Sequence, residues 1–400
     1  MAKFVFVVPP LTGHINPTLS VGAELLLRGH EVGWISLEAS LGKKLPPGGQ
    51  LLLVSYAEDH AATQDGPRYL DAIQQKNVYG VESIKFLYDD VLIPLNRYMY
   101  HGIMQWLETF QPDVVIHDHE LFAGAIAAAQ KGIPCATTVT APAAVRAMDD
   151  LPKVKEWGDQ KIIALQRELG LDTDRSLQCS DTMALVFTSR EFFGDTDLED
   201  QYKFVGPVIQ HRPAAIPFEW EKFYHMEHPR KILVSIGTTF DHSYKKEFFS
   251  KVCAAFGNEP LSVVVVSDPA LFDEWPANFM VQEKVPQLAL LPHLNAVVCH
   301  GGHNTVCETL AHGLPLVVIP IAYDQSFVAG RVTASESGQR LNFKRFKADH
   351  LKQAVYEVLQ DPKYAAAAQS MQQSFTQAGG TTRTAELLEE MCTSKIIAHV

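Results

Sequence analysis

Short apolar runs alternate along the chain with longer stretches of helical period. The first apolar run, Phe4–Val8, is followed by a loop, a helical pattern over Pro17–Arg28 and a second apolar run at Glu31–Ser36. Asn16 is predicted to cap this helix and Pro17 to occupy its first position, which these residue types favour. The order predicts a strand, a helix and a parallel strand.

The alternation continues on both sides of one break, Val205–Pro217, which contains prolines and is interpreted as an interdomain linker. Further strands are predicted at Val114–His117, Cys135–Val139, Ala184–Thr188, Lys231–Ile236, Leu261–Ser267, Ala296–Cys299 and Leu316–Ile319. β-Branched runs between helices are typical of parallel sheets buried on both faces. We predict an α/β protein of two Rossmann-like domains whose parallel sheets face a central cleft. The domains are expected at residues 1–210 and 211–380, with a final helix at 381–400 that crosses back to the first domain.

Composition narrows the class of partner. The formal net charge is −12, and an acidic surface repels nucleic acid and anionic membranes. No apolar run reaches transmembrane length, and the first is too short for a signal peptide. The six cysteines lack Cys-x-x-Cys spacing, as expected for buried thiols in a reducing compartment. We expect a cytoplasmic protein without stable membrane insertion.

One segment concentrates groups that suit a phosphate. A predicted strand ends at His300, Gly301 and Gly302 let the backbone approach a ligand, and a helix begins. Helix starts offer unpaired N–H groups and a partial positive charge, so they bind phosphate. His300 and Thr305 add hydrogen-bond donors, and Glu308 lies one turn further for ribose hydroxyls. An incidental glycine pair in a structural turn is the alternative.

The residues from Val285 to Gln325 resemble the donor-binding signature of inverting GT-B glycosyltransferases that use nucleoside diphosphate sugars. Bacterial macrolide and antibiotic glycosyltransferases, and plant secondary-product UDP-glycosyltransferases, are the similar branches. The resemblance implies donor contacts from Gly237, Thr238, Val285, Gln287, His300, Gly302, Asn304, Thr305, Glu308, Asp324 and Gln325.

Within that set, the resemblance implies distinct roles. The diphosphate would be held around His300, the ribose by Glu308, and the sugar hydroxyls by Asp324 and Gln325. The backbone of Val285 would meet the base. The plant enzymes carry tryptophan where this chain has Lys284 and His303, which leaves uridine and thymidine donors open.

A histidine in the first loop is the candidate general base. His14 lies in Gly-His-Ile-Asn-Pro, which matches the Gly-His-x-Asn-Pro form of the bacterial members. It is expected just before a helix start, whose positive end favours neutral imidazole. Asp118, at a predicted strand end, is the candidate carboxylate that orients His14. Capping or packing roles are the alternatives for both residues.

Two other acidic patterns are interpreted as structural. Strand alternation is expected to place His117 and His119 on one face and Asp118 and Glu120 on the other, so no metal site is predicted. The Asp-x-Asp strings at 172–174 and 195–197 are expected to be solvated loop charges.

Aromatic residues between 79 and 110, and the segment 140–157, are candidate walls of an acceptor pocket. Acceptor contacts are expected from Phe86, Tyr88, Phe122 and Met148, although ordinary helix core is an equal alternative for each.

The resemblance thus implies an inverting O-glycosyltransferase that moves a hexose from a UDP-sugar to a hydroxyl of a small lipophilic or aromatic acceptor. Glucose is favoured by Gln325, and neither a metal nor another cofactor is expected. The alternatives are a dTDP-deoxysugar donor or a non-catalytic nucleotide-sugar-binding protein. A dinucleotide oxidoreductase is disfavoured because the first loop lacks Gly-x-Gly-x-x-Gly.

Overall fold

The structure is a computed structural model that describes residues 1–55, 81–146, 152–194, 198–209, 216–237, 242–322 and 324–397. The chain divides into two compact units. The first comprises Met1–Arg190, Asp195–Pro213 and Gln377–Val400, and the second Glu191–Gly194 and Ala214–Thr376. Among the helices described, none has the length and apolar character needed to span a bilayer.

The first unit is built on a seven-stranded parallel sheet. Its strands are β1 (Lys3–Val7), β2 (Glu31–Ser36), β3 (Gln50–Leu53), β4 (Val114–Asp118), β5 (Cys135–Val139), β6 (Ala184–Val186) and β7 (Tyr202–Phe204). The strand order is β3-β2-β1-β4-β5-β6-β7. The order reverses between β1 and β4, and ligands of such sheets bind at the carboxyl ends of the strands beside this switch point.

Helices of the first unit cover both faces of this sheet in the manner expected for parallel strands. They span Thr12–Leu27, Val81–Phe86, Ile93–Phe110, Ala123–Lys131, Ala143–Arg146, Pro152–Glu168 and Gly380–Ile397, with a π turn at Leu87–Leu92. The last of them packs in the same core as the first, where Leu388 is buried with Leu19. Glu389 on that helix accepts hydrogen bonds of 2.8 Å from both Arg28 and His30.

The first helix begins earlier than predicted. It starts at Thr12 after Leu11, so Asn16 is not its cap and Pro17 lies inside it. Ile15 is fully buried, and its burial explains why the helix extends upstream of the proline. His14 therefore lies in the first helical turn, still at the positive end of the helix.

The second unit repeats the plan with a six-stranded parallel sheet. Its strands are β8 (Lys231–Ser235), β9 (Ser262–Val266), β10 (Phe279–Gln282), β11 (Ala296–Cys299), β12 (Leu316–Val318) and β13 (Gly338–Arg340). The order β10-β9-β8-β11-β12-β13 reverses between β8 and β11. The helices span Trp220–Tyr224, His242–Phe256, Gln287–Leu290, His303–Ala311, Gln325–Ala334, Ala348–Gln360 and Pro362–Ala378, and a short helix at Arg190–Phe193 joins the units in sequence. The prediction of two α/β domains with parallel sheets is confirmed.

Candidate active site

The switch point of the first unit carries a histidine and a carboxylate in contact. His14 follows β1 and Asp118 ends β4, and the two strands are paired through Val7 and His117. The His14 Nδ1 lies 3.0 Å from the Asp118 Oδ1. The side chain of Asp118 is fully buried, whereas that of His14 is 14% exposed, so the imidazole is the partner that a ligand can reach.

The Asp118 carboxyl is held ionised in spite of its burial. Burial by itself would raise the pKa of Asp118, but the neighbouring His14 and His119 and the hydrogen bond from the Glu120 N–H hold that pKa below its usual range. The Glu120 N–H donates to Asp118 Oδ1 at 2.9 Å. A buried carboxylate kept anionic by fixed donors is suited to stabilising a protonated imidazole beside it.

Thr140 completes the contact and was not anticipated from the sequence. Its hydroxyl lies 2.8 Å from the His14 Nδ1 and donates to the Asp118 Oδ2 at 3.1 Å. Because the carboxylate can only accept, Nδ1 of His14 carries the ring proton and Nε2 is the basic nitrogen. The sequence did offer one indication of this role, because Thr140 directly follows β5, the strand next to β4.

A buried asparagine fixes the turn that follows the carboxylate. Asn96 donates through Nδ2 to the carbonyls of Leu92 (2.9 Å) and Glu120 (2.8 Å), and its Oδ1 accepts from the Ala123 N–H at 2.6 Å. The side chain thereby ties the helix Ile93–Phe110 to the turn. Its only sequence signal was an amide within an apolar helical face.

The strand alternation predicted for residues 117–120 is wrong beyond Asp118. β4 ends at Asp118 and the next two residues form a turn, so period two no longer applies. His117 stays in the core, where its Nδ1 donates to the Asp118 carbonyl at 2.9 Å and its Nε2 accepts from the Thr137 hydroxyl at 2.7 Å. Burial lowers the pKa of His117 to about 4, so the ring is neutral and structural.

The turn instead brings His119 and Glu120 towards His14. The buried His119 ring stacks on His14 with centroids 5.6 Å apart and planes at 17°. Its Nδ1 lies 3.4 Å from the Asp118 Oδ1. The Glu120 Oε2 lies 3.7 Å from the His14 Nε2. Asp118 is therefore flanked by two imidazoles, which the alternation argument did not anticipate.

The switch point of the second unit carries a histidine of a different kind. His300 follows β11, and its ring lies between two glycines. A Cβ at Gly302 would lie 2.8 Å from the His300 Nε2, and one at Gly237 would lie 2.9 Å from its Cε1. Gly237 also has a φ of +76°, which favours glycine. Burial lowers the pKa of His300 to about 4, so this ring is neutral.

The helix His303–Ala311 begins directly after these glycines. Gly302 occupies the cap position, and no side chain caps the helix from there. Asn304 and Thr305 lie half-buried in its first turn. The first backbone N–H groups of a helix have no partner within it and carry a partial positive charge, so this end suits an anion.

Two further residues of the predicted donor set contact each other. Gln287 Nε2 donates to the Oε2 of Glu308 at 2.5 Å, and Glu308 is buried. The backbone N–H of Gln287 donates to the carbonyl of Val285 at 2.8 Å, and Val285 packs in the core of the unit. The Gln287–Glu308 hydrogen bond thus holds the segment 285–287 against the helix His303–Ala311.

Gln325 is partly committed to its own loop. Its Oε1 accepts from the backbone N–H groups of Ile321 (2.8 Å) and Ala322 (2.9 Å), and the side chain is buried. Within the described part of the chain, these two bonds use the amide oxygen and leave the amide nitrogen out. Asp324 precedes it at the start of the helix Gln325–Ala334. Thr238 lies outside the described residues.

The predicted acceptor contacts lie mostly in the core. Phe86, Tyr88 and Phe122 are buried in one hydrophobic cluster of the first unit. The Tyr88 hydroxyl accepts from the Gln178 amide at 3.2 Å, and burial raises the pKa of Tyr88. Met148 lies outside the described residues.

The first Asp-x-Asp string is solvated, as predicted. The side chains of Asp172 and Asp174 are exposed and pair with Arg167. The string at 195–197 lies outside the described residues.

Known proteins similar to this chain are glycosyltransferases. Residues 195–375 match the family of UDP-glucoronosyl and UDP-glucosyl transferases. The chain is 27% identical over 391 residues to the NDP-glycosyltransferase YjiC of Bacillus subtilis, covering 95% of each chain. It is 26% identical to the oleandomycin glycosyltransferase of Streptomyces antibioticus, covering 94% of this chain and 88% of the relative.

Solved glycosyltransferase structures share the fold over nearly the whole chain. The glycosyltransferase of kitacinnamycin and the calicheamicin glycosyltransferase CalG4 each superpose with a TM-score of 0.76, 22% identity and 98% coverage of both chains. The glycosyltransferase VinC, solved in complex with dTDP, gives a TM-score of 0.74 at 18% identity, covering 98% of this chain and all of its own.

Proposed function

The chain is a GT-B glycosyltransferase that resembles the bacterial macrolide and antibiotic glycosyltransferases, and from this premise we propose an inverting O-glycosyltransferase. It moves a hexose, glucose in first place, from a UDP-sugar to a hydroxyl of a small lipophilic or aromatic acceptor. The observation that carries the proposal is the contact of a reachable imidazole with a buried, ionised carboxylate at the switch point of the first unit.

His14 acts as the general base. Its Nε2 takes the acceptor hydroxyl proton while the acceptor oxygen bonds to the anomeric carbon. The bond from that carbon to the phosphate oxygen breaks, and its electron pair leaves with the nucleoside diphosphate. Attack opposite the leaving group turns an α-linked donor into a β-glycoside. Asp118 stabilises the imidazolium, as its position 3.0 Å from the His14 Nδ1 suggests.

The second unit supplies the leaving-group site. Backbone N–H groups at the start of the helix His303–Ala311 stabilise charge on the departing diphosphate. The neutral His300 offers a hydrogen bond rather than a charge. Glu308 and Gln287 hold the ribose, and Asp324 with the Gln325 amide holds the sugar. Since backbone dipoles take over the electrostatic role, we propose that no metal or other cofactor is needed.

A dTDP-deoxysugar is the second candidate donor. Two of the solved structures with this fold are complexes with dTDP, namely VinC and SsfS6 of Streptomyces sp. SF2575. Lys284 and His303 occupy positions where the plant UDP-glycosyltransferases carry tryptophan, so the base stacking that would support the first candidate is lost here. The start of the helix His303–Ala311 would bind the diphosphate, which both nucleotides carry. The contact with the base therefore decides between the two nucleotides.

The acceptor is proposed to be a natural product of polyketide, phenolic or terpenoid type. Relatives of this chain include the oleandomycin glycosyltransferase, 4'-demethylrebeccamycin synthase of Lentzea aerocolonigenes and the demethyllactenocin mycarosyltransferase of Streptomyces fradiae. Two of these names describe a sugar transfer, and each of the three names a small molecule.

A donor screen tests the proposal. UDP-glucose, dTDP-glucose and a dTDP-deoxyhexose are each incubated with a generic phenol and a macrolide, and products are read by mass. A hexose-sized mass increase from UDP-glucose, with β-configuration by NMR, is the expected result. Tight nucleotide-sugar binding without transfer to any acceptor would instead identify a non-catalytic binding protein.

A further inference from the structure

The surroundings of Asp118 hold three potential metal ligands within the first unit. One ligand atom from each of His14, Asp118 and His119 lies within 4.8 Å of the others. The Asp118 Oδ1 sits between the two rings, 3.0 Å from the His14 Nδ1 and 3.4 Å from the His119 Nδ1. The turn that displaces His119 from the strand alternation creates this arrangement.

His119 provides an independent sign that the cluster binds something. Its side chain is almost completely buried, and its Nδ1 has no hydrogen-bond partner within the described part of the chain. A buried polar atom left without a partner is unfavourable and calls for an explanation such as a bound ion. The atom lies 3.4 Å from the anionic oxygen of Asp118, a separation that a bridging cation would fit.

The distances suit a small transition-metal ion. Tetrahedral zinc bound at about 2.0–2.1 Å by imidazole nitrogen and carboxylate oxygen places neighbouring ligand atoms roughly 3.3 Å apart. The two measured separations to Asp118 Oδ1 bracket that value, and only the two nitrogens need to approach each other. His14, at 14% exposure, is the member of the trio that an ion can reach from solvent.

We propose that His14, Asp118 and His119 form an inhibitory site for a transition-metal ion, with Zn²⁺ the favoured occupant. The ion binds the Nδ1 of His14 in place of the ring proton, which moves to Nε2. That nitrogen can then no longer accept the acceptor proton. The inhibitory consequence rests on the proposed base function, whereas the metal site itself does not.

The ligand set also predicts which ions are rejected. Two imidazole nitrogens and one carboxylate suit zinc, iron(II), copper or nickel, while magnesium and calcium prefer oxygen ligands. Glu120, with its Oε2 3.7 Å from the His14 Nε2, adds negative charge but lies outside the trio. The site therefore discriminates by ligand type rather than by charge alone.

Calorimetry with ZnCl₂ and the full chain, in the absence of any nucleotide, tests the site directly. One zinc ion per chain is expected for the wild type and none of comparable affinity for Mg²⁺. His119→Phe keeps a ring against His14 but removes the ligand atom, and it should weaken binding by at least about tenfold. His14→Ala removes a ligand from the more exposed position and should do the same, so the test survives if one variant misfolds.

His225→Gln is the matched control, because His225 is an exposed histidine of the second unit. Its zinc affinity should equal that of the wild type. Equal zinc binding by wild type, His119→Phe and His14→Ala would overturn the proposal, as would the absence of binding to the wild type.

A second measurement separates this proposal from the proposed function. Zinc at saturating concentration should suppress transfer by the wild type, a chelator should restore it, and the ratio of activities with and without zinc should approach one in His119→Phe. If zinc binds through His119 but no donor and acceptor pair reacts, the metal site stands and the transferase proposal fails. If transfer is intact and the ratio is the same in both proteins, the inhibitory role is refuted.

Discussion

Each unit places a histidine beside the switch point of its sheet, but after different strands and in opposite surroundings. His14 follows β1, the first strand of its unit, whereas His300 follows β11, which occupies the place of β4 in the second sheet. His14 contacts an ionised, buried carboxylate, whereas His300 lies between glycines and is neutral because of burial. The first arrangement favours taking up a proton and the second disfavours it.

The difference teaches that the fold supplies a location and the neighbouring side chains supply the chemistry. Beside His14 lie four polar side chains, those of Asp118, Thr140, His119 and Glu120. The His300 ring instead lies against the backbone of Gly237 and Gly302, where there is no room for a Cβ. Under the proposed function, proton transfer and anion binding are divided between the units.

Removing the base should produce the largest effect. We expect His14→Ala to lower kcat/KM for transfer by about 10²–10⁴-fold, the usual contribution of a general base, and to leave nucleotide-sugar affinity unchanged. Activity is measured by product mass and affinity by calorimetry. His101→Ala, an exposed histidine of the same unit, should retain both. Equal loss of donor affinity in His14→Ala would contradict the division between the units.

Filling the space beside the His300 ring should weaken donor binding, with an effect of intermediate size. In Gly302→Ala the new Cβ would lie 2.8 Å from the His300 Nε2. If an overpacking cost of about 1–3 kcal/mol falls on the ligand-bound state, UDP-glucose binding is weakened roughly 5- to 150-fold. Calorimetry measures it.

Gly330→Ala is the matched control, because it lies in a helix of the same unit with nothing within 4 Å of the added Cβ. It should bind UDP-glucose as the wild type does and be slightly more stable, since alanine is the better helix former. Wild-type affinity in Gly302→Ala would mean that the ring and the glycine are not part of the donor site.

The strands missed by sequence analysis are all at sheet edges. The central strands were predicted within about two residues, which is the usual precision for element boundaries, because their apolar runs are buried on both faces. β3, β7, β10 and β13 were not predicted, and they form the outer strands of the two sheets. Edge strands are buried on fewer sides and so carry weaker apolar patterns, as the largely half-buried β7 illustrates.

Within the sites, motif residues could be predicted but their supports could not. His14 and Asp118 stand out through spacing and strand position, and the structure brings them into contact. Thr140 and Asn96 act through contacts between distant segments, which no local pattern encodes. His119 was misplaced because strand period was extended one residue past the end of β4.

Changing the pH should alter donor binding very little. The pKa of His300 is lowered to about 4 from 6.5, so the ring takes up a proton only as the pH falls towards that lowered value. UDP-glucose affinity should therefore vary by less than about twofold between roughly pH 6 and pH 8, where an unperturbed histidine would change its charge. Calorimetry at three pH values measures it. Affinity that rises steadily towards pH 6 would indicate a protonated His300 and remove the contrast with the first unit.

Chelation should have the smallest effect of all. If helix N–H groups and a neutral imidazole hold the diphosphate, transfer does not depend on a bridging divalent ion, and EDTA should leave the initial rate unchanged. The carboxylate nearest the predicted ribose site, Glu308, already accepts a hydrogen bond from Gln287, which argues against its being a metal ligand.

Initial rates are compared after dialysis against EDTA and after addition of Mg²⁺ or Mn²⁺. Strong inhibition by EDTA that either ion reverses would show that a metal ion stabilises the departing diphosphate. It would contradict the proposal that backbone N–H groups are sufficient. A rate increase on chelation would instead locate the metal at the base, where the two imidazoles flank Asp118, and would make the first unit the metal-sensitive half of the enzyme.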